Sequence, residues 1–219
     1  MQQAMHSEQV CAVVLAGGRG TRMGGVDKGL QLFRGQALAR HAVQRLQAQT
    51  GGTPGLIAIN ANRNLEAYAA WGTPVWPDAQ QDFSGPLAGF ASALYHCREA
   101  PHTFDFLLIV PCDSPLFPLD LLERLARELT QTKADIAMVA IPEEDRTGVS
   151  AMRAQPVFCL LRTTLLESLR TFMAHGGRKI ASWMEQQHTV EVCFDTPSDN
   201  PHDFFNANTL DQLQALEQS

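Results

Sequence analysis

The stretch Leu15-Ala-Gly-Gly-Arg-Gly-Thr-Arg-Met-Gly-Gly-Val-Asp-Lys28 holds five glycines and three cations. Glycine lets backbone N–H groups approach a ligand closely, and Arg19, Arg22 and Lys28 supply charge for an anion. The apolar run that precedes it, Val10-Cys-Ala-Val-Val-Leu15, reads as a buried strand. A strand opening into such a loop points to the wrapping of a triphosphate. The charge balance supports this. The chain has a formal net charge of −6, yet residues 19–34 carry Arg19, Arg22, Lys28 and Arg34 against Asp27 alone. A positive island on an acidic protein suits a small anionic ligand, and the overall sign argues against non-specific nucleic-acid binding.

Three more polar residues, Asn60, Asp78 and Asp113, each stand at the carboxyl end of a predicted strand. In an open parallel sheet such positions line one edge, where ligands bind in the crevice. Taken singly, Asn60 and Asp78 also read as turn formers. Asp113 is the sharpest of the three, ending Leu107-Leu-Ile-Val-Pro-Cys-Asp113 beside Pro111, Pro115 and Pro118. A carboxylate on so stiff an exit suits Mg²⁺, which takes one or two carboxylates plus phosphate oxygens and water. The plainer alternative is an Asp that caps the next turn through Ser114.

Several phosphate and catalytic signatures are excluded. Lys28 precedes Gly29 and is not followed by Ser or Thr, so there is no P-loop. A dinucleotide pattern starting at Gly18 and Gly20 ends on Met23 and fails. No Gly-x-Ser-x-Gly elbow or His-Glu-x-x-His helix is present. The seven histidines are scattered, and His41 reads as a solvated or core residue. The five cysteines (Cys11, Cys97, Cys112, Cys159, Cys193) form no C-x-x-C pair, which favours buried free thiols.

The elements that must position these residues alternate between apolar runs and helical spacings, as in βαβ units around a mainly parallel sheet. Strands are expected at 10–15, 56–60, 74–78, 104–110, 134–141, 156–161 and 189–194, with 104–110 central and 189–194 a late or edge strand. Helices are expected at 36–49, 64–70, 86–98, 118–130, 165–172, 179–186 and 209–217. A length of 219 residues supports one substantial core. We read one domain, residues 1–219, with a nucleotide-binding half over about 10–115 and an acceptor-binding half over about 116–215. Without an apolar run of membrane-spanning length or a signal-like N-terminus, a cytoplasmic enzyme is expected.

As a set, Leu15-Ala-Gly-Gly-x-x-x-Arg22-Met-Gly-Gly-x-Asp-Lys28-Gly-Leu, Asn60-Ala-Asn-Arg63, Gly85-Pro-Leu-Ala-Gly89, Pro111-Cys-Asp113 and Phe205-Asn206-Ala-Asn208-Thr209 resemble the molybdenum cofactor guanylyltransferases of the nucleotidyltransferase superfamily. The resemblance runs from about residue 10 to 210. It implies a Rossmann-like three-layer α/β/α sandwich whose mostly parallel twisted sheet carries an antiparallel strand. It also implies transfer of GMP from GTP to the terminal phosphate of molybdopterin, with release of pyrophosphate. On this reading Leu15, Ala16, Gly17 and Gly18 cradle GTP, Arg22 and Lys28 neutralise its β- and γ-phosphates, and Asp113 holds Mg²⁺. Asn60 and Asp78 contact the guanosine, a carboxylate matching the guanine N1–H and N2–H₂ donors.

The pterin side falls to Gln155, Pro156, Arg178, Lys179, Asn206 and Asn208. Arg178 and Lys179 equally read as a helix start, and the two asparagines as caps. Gln155 stands where the family often has histidine. The partners implied are GTP, molybdopterin, other Mo-cofactor biosynthesis proteins and acceptor molybdoenzymes, with no nucleic acid and no membrane. A cytidylyl or sugar-phosphate transferase is the rival enzyme, although those relatives more often carry Ala-Ala-Gly where this chain has Ala16-Gly17-Gly18. A non-catalytic GTP-binding module is the rival of another class.

Overall fold

The computed structural model describes residues 5–17, 26–78, 86–100, 102–144, 148, 150–200, 202–207 and 209–218. In chain order the strands are β1 (Val10–Leu15), β2 (Leu32–Phe33), β3 (Gln36–Ala37), β4 (Leu56–Asn60), β5 (Val75–Trp76), β6 (Phe106–Pro111), β7 (Ile136–Glu144), β8 (Ser150–Arg162) and β9 (Thr189–Cys193). The helices are α1 (Leu38–Gln47), α2 (Leu65–Ala69), α3 (Pro86–Glu99), α4 (Leu121–Thr132), α5 (Leu166–Ala174), α6 (Ile180–Met184) and α7 (Leu210–Gln218). No helix among the described residues is long and apolar enough to cross a membrane.

Seven strands form one sheet in the order β5-β4-β1-β6-β8-β7-β9, while β2 and β3 form a separate hairpin. β8 runs antiparallel to both β6 and β7, and every other pairing in the large sheet is parallel. This is the expected mostly parallel sheet with one reversed strand. β6 lies fourth of seven, at the centre, because it is apolar on both faces and so needs cover on both. β9 closes one edge, as its alternation implied.

Two cores show why the sandwich has three layers. Along β1, Val10, Ala12 and Val14 pack on one face with Ala42, Leu46, Leu122 and Leu125 from α1 and α4. Cys11 and Val13 point the other way, to Phe90, Leu94, Leu169 and Trp183 from α3, α5 and α6. That two-residue alternation is the strand's pleat. A third, small cluster joins Phe33 and Leu38 to Leu213 and Leu216 of α7.

One strand exceeds its expected length. β8 starts at Ser150, well before the apolar run that marked it, because Ser150–Gln155 pairs with Glu144–Val139, and the outer part of that arm, Pro142–Glu144 with Ser150–Met152, is exposed. The β7–β8 register shifts between Met138, opposite Cys159, and Val139, opposite Gln155. Pro156 falls inside that irregularity, where a residue without an N–H is tolerated.

Candidate active site

Parallel pairing carries the strand ends to one rim. Leu15, the last residue of β1, lies opposite both Asn60 of β4 and Pro111 of β6, and Asn60 lies opposite Trp76 of β5. Ala16 and Gly17, Asn60, Asp78 and Asp113 therefore leave the sheet side by side. This is the crevice at the carboxyl ends of parallel strands. Gly18 and Arg22, expected in the phosphate loop, lie outside the described residues, as does Asn208.

Lys28 reaches across this rim. It opens a short 3₁₀ turn, Lys28–Leu30, and its Nζ pairs with Asp113 Oδ2. Both side chains are 18 % exposed, so the pair sits at the crevice mouth and is screened less than a surface pair. Asp113 Oδ1 is buried and has no hydrogen-bond partner among the described residues. The expected alternative, a turn cap through Ser114, is not what the carboxylate does. An unsatisfied buried carboxylate oxygen costs free energy unless a cation or donor fills the position. Asp113 thus offers one hard oxygen for a Mg²⁺ ion whose other ligands would be phosphate oxygens and water. No group of three or more His, Cys, Asp or Glu suited to a metal occurs among the described residues. A metal here would depend on the nucleotide for most of its shell.

On the β4–β5 side, Asp78 is clamped. Asn60 Nδ2 donates to Asp78 Oδ1 at 2.8 Å and to the Trp76 carbonyl at 2.9 Å. Asn62 Nδ2 donates to Asp78 Oδ2 at 2.7 Å, while Asn62 Oδ1 accepts the Asp78 N–H at 2.8 Å. Asn60 is only 2 % exposed, and two glycines press against it. A Cβ at Gly89 would stand 2.8 Å from Asn60 Oδ1, and one at Gly17 would stand 3.0 Å from Asn62 Nδ2. Each carboxylate oxygen of Asp78 keeps a second lone pair for a ligand donor. Asn60 and Asp78 are therefore joined, and Asn62, quoted within its motif but given no role, is the third member.

The β8 side gathers part of the pterin set. Asn206 Oδ1 accepts the Ser114 hydroxyl at 2.7 Å, and the Ala207 N–H donates to the Asp113 carbonyl at 3.0 Å. Ser114 is fully buried, so the chain after Phe204 is tied to the Asp113 turn at two points. At the start of α7, Thr209 Oγ1 accepts the Gln212 N–H at 3.2 Å. Gln155 and Pro156 precede the β6–β8 ladder, which reaches only to Ile109 opposite Cys159, so they too lie toward the carboxyl rim. Gln155 Nε2 donates to Glu143 Oε1 at 2.8 Å across the arm.

Arg178 and Lys179 sit on the turn between α5 and α6, on the α3 face of the sheet. Lys179 occupies the N-cap position of α6, and Arg178 donates to the Gly177 carbonyl at 3.0 Å. This agrees with the helix-start alternative. α5 begins beside the end of α3, where Glu167 meets Arg98 at 3.8 Å, and runs back from there.

Beneath the rim, Phe117, Phe158, Phe204 and Phe194 pack in succession in tilted and edge-to-face contacts, with ring centroids 4.9–5.9 Å apart. Arg124 lies 3.7 Å above the Phe194 ring and binds Asp199 through two nitrogens. Burial alone would raise the Asp199 pKa, but the hydrogen bonds from Arg124 and Thr196 outweigh it and hold the carboxyl below its ordinary value. This packing fixes the segment that delivers Asn206.

Residues 12–191 match the MobA-like NTP transferase domain family. A molybdenum cofactor guanylyltransferase from Acidovorax ebreus is 57% identical over 96% of both chains. One from Albidiferax ferrireducens is 55% identical over 96% of this chain and 97% of its own. The crystal structure of molybdopterin-guanine dinucleotide biosynthesis protein A from Archaeoglobus fulgidus superposes with a TM-score of 0.71 at 20% identity, covering 95% of this chain and 97% of that one. It shares the fold. The extent of the match and the identity of these relatives settle the family: the chain belongs to the MobA-like NTP transferases.

Proposed function

We propose that the chain is a molybdenum cofactor guanylyltransferase, joining GMP from GTP to the terminal phosphate of molybdopterin and releasing pyrophosphate. The identity of 55–57% to relatives of that name supports the reaction. The observation that carries the site is the convergence of Lys28 and Asp113 on the rim shared with Asn60 and Asp78.

The strand order suggests a division of labour. The β4–β5 side, with Asn60 and Asp78, takes the guanosine. The β8 side, with Gln155, Pro156 and Asn206, faces the acceptor, and Arg178 and Lys179 remain candidates for its phosphate. Asp113 stands between them. A phosphate monoester has a second pKa near ~6, so the attacking oxygen is largely ionised at neutral pH and needs no general base. Its bond to the GTP α-phosphorus forms as the bond to the β-phosphate bridging oxygen breaks, and that electron pair leaves with pyrophosphate.

This chain must align the two anions and stabilise charge on the leaving group. Lys28 does the latter by exchanging Asp113 for the β- and γ-phosphates, assisted by Arg22. The backbone of Leu15, Ala16, Gly17 and Gly18 cradles the nucleotide. Mg²⁺, when bound at Asp113 Oδ1, would add Lewis-acid stabilisation of the phosphate oxygens. Pyrophosphate release from GTP that requires molybdopterin tests the proposal. Nucleotide binding without release would support a carrier module, and preference for CTP would support cytidylyl transfer.

A further inference from the structure

Lys28 is preceded by a carboxylate whose surroundings the reaction has not yet used. Asp27 is only 9 % exposed, yet it accepts three hydrogen bonds through its side chain. Oδ1 receives the Gly29 N–H at 3.2 Å and the Tyr68 hydroxyl at 2.6 Å; Oδ2 receives Asn64 Nδ2 at 3.0 Å. Its carbonyl accepts the Leu30 N–H and Gln31 Nε2, each at 3.2 Å. Every one of these bonds fixes the turn from which Lys28 projects.

Two of the donors come from one place. α2 is five residues long and supplies Tyr68, which is fully buried, while its N-cap Asn64 adopts a left-handed backbone (φ 50°). Asn is among the few residues that adopt this conformation readily. The Tyr68 ring meets Trp71 edge-on at 5.3 Å, and a Cβ at Gly29 would collide with its hydroxyl, so the turn rests directly on the ring. Burial, and then the Asp27 bond, push the Tyr68 pKa well up, which keeps the hydroxyl a donor.

A buried carboxylate is an expensive way to fill space. Its desolvation is costly until its partners offset it, and well-packed apolar residues often do as well or better. The arrangement makes sense if what matters is where it holds the chain. Fixing the backbone turn from which the lysine projects reduces the ordering that phosphate binding must supply.

We propose that Tyr68 is a positioning residue for the nucleotide phosphates, acting on Lys28 through the carboxylate of Asp27. This rests on the assignment of Lys28 to the β- and γ-phosphates. Tyr68 does not touch the nucleotide; it sets the lysine that does.

The test is a double-mutant cycle on GTP affinity at fixed Mg²⁺, using Tyr68→Phe, Lys28→Ala and the double variant, with GMP as a second probe. Tyr68→Phe keeps the ring and removes only the hydroxyl. It should weaken GTP binding about 5- to 10-fold with Lys28 present, have almost no effect in the Lys28→Ala background, and leave GMP binding unchanged. Asn64→Gly, which removes the other α2 donor and tolerates the left-handed backbone, should behave alike and serves if Tyr68→Phe folds poorly. Equal weakening in both backgrounds, or for GMP as for GTP, overturns the proposal. Undiminished GTP affinity in Lys28→Ala alone overturns the phosphate assignment itself, and the positioning role with it.

Discussion

Lys28 and Asp113 lie 85 residues apart in sequence and form an ion pair at the carboxyl rim of the sheet. Two groups proposed for different tasks, one for phosphate and one for metal, thus hold each other when neither ligand is bound. Lys28→Ala and Asp113→Asn should each lower turnover on the order of 10²–10³-fold, the cost of losing one preorganised stabiliser of leaving-group charge. Pyrophosphate release measures this, with thermal melts confirming that both variants fold.

The same pairing predicts an asymmetry on metal removal. In chelator, Asp113 competes with the triphosphate for Lys28. Asp113→Asn should therefore bind GTP several-fold more tightly than the parent without metal, and gain less from added Mg²⁺. Titration calorimetry with and without chelator checks both halves.

Asn60 is wedged between Gly89 and Asp78, so Gly89→Ala should act on the nucleotide and not merely on packing. The new methyl would fall 2.8 Å from Asn60 Oδ1 and 3.0 Å from Leu15 Cδ2. Asn60 is buried and pinned by two donated bonds, so it has little room to yield. Preference for GTP over ATP should drop on the order of 10-fold as the Asp78 carboxylate loses its orientation. Competition binding reads this ratio directly.

Much of the frame is visible in the residue pattern, and for identifiable reasons. β1, β4 and β6 are short apolar runs that lead into Gly17, Asn60 and Asp113, so both their existence and their shared edge follow from the order of types along the chain. The arm of β8 is hidden because Ser150–Ala154 is exposed and pairs only with β7, leaving no sustained apolar run to mark it. The β2–β3 hairpin is hidden because its strands have two residues each and Arg34, with φ 48°, occupies a turn position normally marked by Asn or Gly. At the site, Asp27, Tyr68 and Ser114 act through buried hydrogen bonds between distant segments, which no local spacing encodes. Asn62 was closer to hand, since its motif holds two asparagines around Ala61 and the strand ends at the first.

Arg124 and Asp199 give the fold a predictable acid response. The folded-state pKa of Asp199 lies below its ordinary value of about 3.9. Its contribution is therefore fully present above that value and lost as pH falls through the lower folded value. Asp199→Asn should lower Tm by roughly 3–12 °C at neutral pH, taking a charged hydrogen bond as about 1.5–3 kcal/mol. The gap to the parent should close progressively below about pH 4. Melting curves from pH 7 to 3 test the sign.

The central claim is that this rim transfers GMP to molybdopterin. Incubating the protein with GTP labelled at the α-phosphate, Mg²⁺ and molybdopterin, and then separating the products, tests it most directly. Guanylyl transfer places label in a molybdopterin–guanine dinucleotide and releases one pyrophosphate per label transferred, and both are lost in Lys28→Ala and Asp113→Asn. Label remaining in GTP, or transfer undiminished in both variants, would contradict it.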